Sequence, residues 1–241
     1  MNINNRDYIF DNKTQLKNDY LNNGFLFLPN LISSEVIDNY PFASLGKEAE
    51  EQKYYLSDPL LRDIFCSKEI YDIINIIGIG VALSTGSFFN KSTEKDWHRD
   101  HVWPYKLGAD NYIGVWIALD DVDPESGPFE VIAGSHKWEI DYSEFEGDLL
   151  YQKYDELTRI FEEERLKKNA PIISLNISKG DVIFWHGHTI HRGSKPSNSI
   201  LNRPSLIAHY CNPKLHGTPE DELFKFPELF NTHGAGFYFV D

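Results

Sequence analysis

The sequence predicts an α+β chain in which helices come first and an antiparallel sandwich or barrel follows. Three observations carry this reading. Aromatic residues make up 14% of the chain, and together with the β-branched residues they favour sheet. Capped, apolar-periodic stretches lie near the start. From Ile76 onward the texture changes to short apolar runs separated by Gly, Asn, Asp and Pro.

The elements follow in chain order. Gly24 to Pro29 reads as a short strand that the proline ends. Ser33-Ser34-Glu35-Val36 opens a helix, with a serine cap before an apolar run. Ser57-Asp58-Pro59 opens a second helix, with Leu60, Leu61, Ile64 and Phe65 on one side. Strands are expected over 79–89, 111–119, 128–132, 172–177, 181–186 and 204–210. Within the charge-rich stretch 139–170, Asp155 to Lys168 predicts a helix that buries Leu157, Ile160, Phe161 and Leu166. Composition favours a solvated helical insertion there; the alternative is a lid or a pocket wall.

At 241 residues the chain reads as one domain. Residues 1–75 form a helical and strand support, about 76–210 a barrel core, and 211–241 a C-terminal segment. The balance of 23 basic against 37 acidic residues gives a net charge of −14. That surface repels phosphate backbones and anionic headgroups, so nucleic acid and membrane are excluded as partners, and a small-molecule substrate is expected. The oligomeric state is left open. Cys66 and Cys211 form no disulfide framework, and the polar N-terminus lacks the apolar core of a signal peptide. The longest apolar stretch, Ile73 to Leu83, is too short to span a bilayer. A cytoplasmic protein is expected.

Nine histidines are the place to look for chemistry. In Trp97-His98-Arg99-Asp100-His101 an extended backbone points His98 and Asp100 to one side, where they can grip one ion, and His101 to the other. Alone, an H-x-D triplet is common. His186-Gly187-His188-Thr189-Ile190-His191 follows the apolar run Asp181 to Trp185, which places it at the mouth of a sheet. His186 and His188 read as polar residues at a strand end. Arg203 and Ser205 share a strand face with Ile207 and His209, and a guanidinium beside a hydroxyl suits a carboxylate. Two histidines and one carboxylate with open positions make the facial triad of non-haem Fe(II) oxygenases. Such a site leaves room for a bidentate 2-oxo acid and dioxygen, and the far carboxylate then needs an arginine.

Between these clusters lie Tyr112 to Asp121, ending Ala118-Leu119-Asp120, then Glu125-Ser126-Gly127-Pro128 and Gly134-Ser135-His136. With Gly180-Asp181 and the distal histidine, this order of blocks resembles the phytanoyl-CoA dioxygenase family from about Gly24 to Tyr210. The resemblance implies a mainly β fold with flanking helices, whose core is a double-stranded β-helix (a jelly-roll, cupin-like barrel). It implies Fe(II), held by His98, Asp100 and His191, with 2-oxoglutarate as co-substrate and dioxygen as oxidant. Arg203 would hold the far carboxylate of 2-oxoglutarate, helped by Ser205 or Ser194, with Trp116 lining the pocket and Asn90 as a polar contact beside Lys91. Here His191-Arg192-Gly193-Ser194 is one residue longer than the family's His-Gly-Ser. Asp100 occupies a position that is small in the related halogenases, so the resemblance implies hydroxylation of a small metabolite with release of succinate and CO2. Gly134-Ser135-His136 is expected to be a structural turn. Two rivals remain: a zinc hydrolase built on His186, His188 and His191 with Asp100, and a non-catalytic ligand-binding barrel.

Overall fold

The computed structural model describes residues 12–51, 53–78, 82–100, 112–141, 153–212 and 238–239. The expectations for His101, for the strand start at 79–81, and for parts of the 139–170 insertion and the C-terminal segment 211–241 fall outside them. No helix among the described residues is long and apolar enough to cross a membrane.

Helix α1 (Lys13–Asn23) leads into β1 (Phe25–Leu28) through Gly24, which takes a φ of 77° and donates to the Tyr20 carbonyl at 2.8 Å. Only glycine fits here. A Cβ at Gly24 would run into His136 and Thr189, and left-handed backbone is costly for other residues. Helix α2 (Ser34–Asp38) is capped by Ser33, whose hydroxyl accepts from the Val36 amide at 3.3 Å. Helix α3 (Pro59–Phe65) is capped by Asp58, which accepts from the Leu61 amide at 3.0 Å. Leu61, Ile64 and Phe65 are buried as expected, whereas Leu60 is 56% exposed.

Helix α4 (Lys68–Ile77) occupies part of what reads in the sequence as one apolar run continuing into a strand. It ends at Gly78 in the left-handed conformation and buries Ile70, Ile73, Ile74 and Ile77. Each such side chain contributes about 1.5–3 kcal/mol by leaving water. The strands are β2 (Ala82–Phe89), β3 (Tyr112–Ala118), β4 (Phe129–Val131), β5 (Ile173–Ser174), β6 (Val182–His186), β7 (His191–Gly193), β8 (Ser205–Cys211) and β9 (Tyr238–Phe239). One sheet runs β1-β6-β3-β8-β2-β9 and the other β5-β4-β7. All described pairings are antiparallel except β2 with β9.

Strand parity then sorts the side chains of the larger sheet. Ile113, Val115, Ile117, Val182, Phe184, Leu206, Ala208 and Tyr210 pack with the helices in one apolar cluster. Their neighbours Trp116, Ala118, Ile183 and Trp185 turn the other way and meet Phe129 and Val131 of the smaller sheet. The result is the two-sheet β core with helices on one outer face, a jelly-roll arrangement. Gly180-Asp181 is structural: the Asp181 carboxylate accepts from the Asn30 amide at 2.7 Å and the Ser178 amide at 2.8 Å.

The charge-rich insertion forms helix α5 (Tyr154–Lys167). Leu157 and Phe161 are buried against Trp97, Ile132 and Ile190, while Leu166, expected inside, is 61% exposed. Tyr154 and Thr158 donate to the carbonyls of Asp96 and Trp97, each at 3.1 Å. The described part of the insertion therefore braces the H-x-D segment from behind.

Candidate functional site

His98 lies on an isolated antiparallel bridge and Asp100 just past it, not on the extended strand that the sequence suggests. The bridge pairs His98 with His191, each amide donating to the other's carbonyl at 3.1 Å. Asp100 follows, its amide bonded to the Gly187 carbonyl at 3.1 Å. Between the two, Arg99 turns away and donates to the carbonyls of Ser135 at 2.6 Å and Trp138 at 3.1 Å. The Ser135 hydroxyl in turn accepts from the Ile190 amide at 2.8 Å. Gly134-Ser135-His136 is thus the structural turn expected, and it ties the two ligand segments together.

His98, Asp100 and His191 are all buried, with one ligand atom from each within 4.8 Å of the others. Asp100 Oδ1 is 3.8 Å from Nε2 of each imidazole. The opposite ring nitrogens face backbone carbonyls: His98 Nδ1 lies 2.7 Å from Asp96 O and His191 Nδ1 3.0 Å from Thr189 O. A carbonyl only accepts, so each Nδ1 carries the proton and each Nε2 is left bare to ligate. Burial, joined at His98 by the fields of His191 and Lys95, pushes His98 and His191 below the ordinary imidazole range. Burial by itself would raise Asp100, but the fields of His191, His209 and His98 outweigh it and hold the carboxyl well below its usual range. Neutral imidazoles and an ionised carboxylate are the protonation states that a divalent metal requires.

The triad opens into a cavity of about 520 Å³ lined also by Trp116, Phe129, Trp185, Arg203, Ile207 and His209. Arg203 is 2% exposed; its amide donates to the Asn90 carbonyl at 2.8 Å and its guanidinium to the Gly127 carbonyl at 2.8 Å. Desolvation lowers its pKa to about 10, which leaves it charged near neutrality. Its Cζ sits 5.5 Å from the Trp116 ring centre. Among the described residues, Arg203 Nε, Trp116 Nε1 and His209 Nε2 on this wall are buried without a hydrogen-bond partner; Ser205 Oγ, on the same strand face but absent from the wall, is a fourth.

The other sequence candidates are placed differently. Ser194 lines a separate cavity and its hydroxyl donates to the Pro128 carbonyl at 2.9 Å. Asn90 meets Arg203 through its main chain and is absent from the described cavity wall. His186 follows the parity of Phe184 onto the helix side, with its ring 6.0 Å from Tyr20 and 5.3 Å from His136. His186, His188 and His191 therefore do not converge, and the only three-residue ligand group among the described residues is His98, Asp100 and His191.

Sequence reasoning missed Trp185, Thr85 and Lys95 as site residues. Trp185 Nε1 donates to Asp100 Oδ2 at 2.6 Å. Thr85 Oγ1 lies 2.7 Å from Nδ1 of His209, whose Nε2 is 3.4 Å from the same Oδ2. Parity put His209 on the Arg203 face, but nothing local in the sequence brings it to Asp100.

Solved structures support the fold. The epimerase SnoN in complex with Fe3+, α-ketoglutarate and nogalamycin RO aligns over 96% of both chains with a TM-score of 0.68 and 17% identity. EctD from S. alaskensis with bound Fe aligns over 83% of this chain and 77% of its own, with a TM-score of 0.63 and 14% identity. Among curated proteins, the peroxisomal phytanoyl-CoA dioxygenase of Bos taurus is 26% identical over 56% of this chain and 40% of its own length. That of Mus musculus is 24% identical over 84% of this chain and 70% of its own. The match to the bovine relative thus spans less than half of that protein. The family model for phytanoyl-CoA dioxygenase matches residues 47–200, well over half of the chain and the whole stretch from the H-x-D turn to His191. The chain belongs to the phytanoyl-CoA dioxygenase family.

Proposed function

We propose that the chain is an Fe(II)- and 2-oxoglutarate-dependent dioxygenase that hydroxylates a small molecule and releases succinate and CO2. The observation that carries this reading is the pair of unpartnered buried atoms, Arg203 Nε and Trp116 Nε1, on the wall shared with a triad already in its ligating protonation state. A guanidinium Nε and an indole N–H buried and left unpaired are costly. A carboxylate can accept from both, and 2-oxoglutarate has a second carboxylate to place there. The residues fit the cofactor pair that the SnoN structure carries.

His98, Asp100 and His191 would hold the metal through Nε2, Oδ1 and Nε2. Bound there, the iron supplies the redox chemistry that couples decarboxylation of 2-oxoglutarate to oxidation of the substrate. Arg203 orients the co-substrate by its far carboxylate; Ser194 lines a separate cavity, and Ser205 is buried on the Arg203 strand face without lining this one. Phe129 and Trp185 wall the metal side with apolar surface and keep water out. Thr85, Lys95 and Tyr112 also line the cavity.

Metal content decides between this reading and a zinc hydrolase. Protein purified without added metal is expected to take up Fe(II) at one site per chain and to turn over 2-oxoglutarate only when so loaded. Tight zinc with no turnover of 2-oxoglutarate would overturn it.

A further inference from the structure

Gly114 stands in the middle of β3, a strand buried along its whole length. The packing of that strand gives no reason for a residue without a side chain, and a glycine there weakens a strand. Its two neighbours give the reason. In register it faces Trp185 on β6 and His209 on β8. A Cβ at Gly114 would overlap the Trp185 indole. The missing side chain lets that indole lie across β3, and Nε1 then reaches Asp100 Oδ2 at 2.6 Å. On the other flank His209 stacks on Tyr112 with ring centres 5.0 Å apart and rests on Thr85. Its Nε2 comes to 3.4 Å from the same oxygen.

We infer that Gly114, Trp185 and the Thr85–His209 pair form a built support that reserves Oδ2 of Asp100, so that this carboxylate ligates the metal through Oδ1 alone. The inference rests on the metal site proposed above and concerns its geometry. A carboxylate with both oxygens free can chelate a metal with two bonds and would fill a position that the co-substrate or dioxygen needs. A short indole hydrogen bond on one oxygen opposes that, and it also fixes the direction of the other. Thr85 Oγ1 lies 2.7 Å from Nδ1 of His209 and anchors the ring; Nε2, 3.4 Å from Oδ2, makes no hydrogen bond among the described residues and flanks the oxygen that Trp185 holds. Trp185 and His209 act through Asp100 and are positioning residues.

The test uses Co(II) as the probe, with its affinity and its visible absorption bands as readouts that need no turnover. Trp185→Phe removes the donor and keeps an aromatic of similar shape. It is expected to weaken Co(II) binding by about 10–100-fold, the usual effect of removing such a support, and to shift the bands as the coordination number changes. Thr85→Val removes the anchor of His209 without altering bulk and should show the same changes, smaller, should Trp185→Phe fail to fold. Melting of the metal-free variants separates positioning from packing. A lower melting temperature with wild-type affinity and bands in the folded variants would overturn the inference. Asp100→Ala tells this failure from that of the metal site itself. If Asp100→Ala abolishes Co(II) binding while Trp185→Phe and Thr85→Val leave it unchanged, only the support is wrong. Binding that survives Asp100→Ala overturns both.

Discussion

His98 and His191, 93 residues apart in sequence, are joined by a pair of main-chain hydrogen bonds of 3.1 Å, which sets their ring centres 4.2 Å apart. No longer ladder flanks this bridge. What holds it is the packing immediately behind. Trp97 and Ile190, the residues before the two histidines, share an apolar cluster with Ile132 and with Leu157 and Phe161 of α5.

Phe161→Ala should therefore lower the stability of the protein by about 3–5 kcal/mol, as a buried aromatic lost to a cavity does. Leu166→Ala, on the exposed side of the same helix, should stay within about 0.5 kcal/mol of wild type. Urea unfolding of both variants checks this. Equal effects would mean that the helix does not brace the site.

The same cluster shows how far the sequence could be read. Strands β3, β6 and β8 were legible as short apolar runs bounded by turns that carry Gly, Pro and Asp. That His98, Asp100, His191 and Arg203 meet at one cavity was legible because each sits at a recognisable step of a block pattern. Helix α1 left a thin signal, since only Leu16 and Tyr20 are buried along it. Helix α4 was hidden because its Ile-rich face runs on toward β2 without a polar break, although Gly78 marks its end. Strand β7 has three residues, too few for a period to show. The contacts of Trp185 and His209 with Asp100 span strands distant in sequence, and no local spacing encodes them.

Arg203 offers a direct test of co-substrate recognition. Its guanidinium is buried, charged and partly unpartnered. Arg203→Gln should raise the dissociation constant of 2-oxoglutarate by about 10–100-fold, since a hydrogen bond to a charged group contributes about 1.5–3 kcal/mol. Calorimetry with the Mn(II)-loaded protein reads this without turnover. An unchanged constant would move the carboxylate elsewhere.

The two ligand histidines set a pH dependence for the metal-free protein. Burial holds both imidazoles below the ordinary value of 6.5 in the folded chain. Above 6.5 the rings are neutral in both states and contribute no difference. As pH falls below that value the unfolded chain takes up protons first, so stability declines until the folded pKa values are passed. The melting temperature of the metal-free protein should fall between about pH 7 and pH 5, across the usual range of histidine. His98→Gln should flatten that fall. A slope identical in wild type and variant would contradict the assignment.

Gly24 links the helical support to the barrel. Its left-handed backbone and the space it leaves for His136 and Thr189 make Gly24→Ala costly. The expected loss is at least about 1 kcal/mol from backbone conformation alone, with more from overlap. Thermal unfolding of the variant measures it, and a neutral result would show that β1 can shift.

The central claim is that this fold turns over 2-oxoglutarate at His98, Asp100 and His191. Succinate released by the Fe(II)-loaded protein, supplied with 2-oxoglutarate and dioxygen, measures it most directly. Release is expected to require Fe(II) and to be lost in His98→Ala and in Asp100→Ala. Release that persists unchanged in either variant would contradict it.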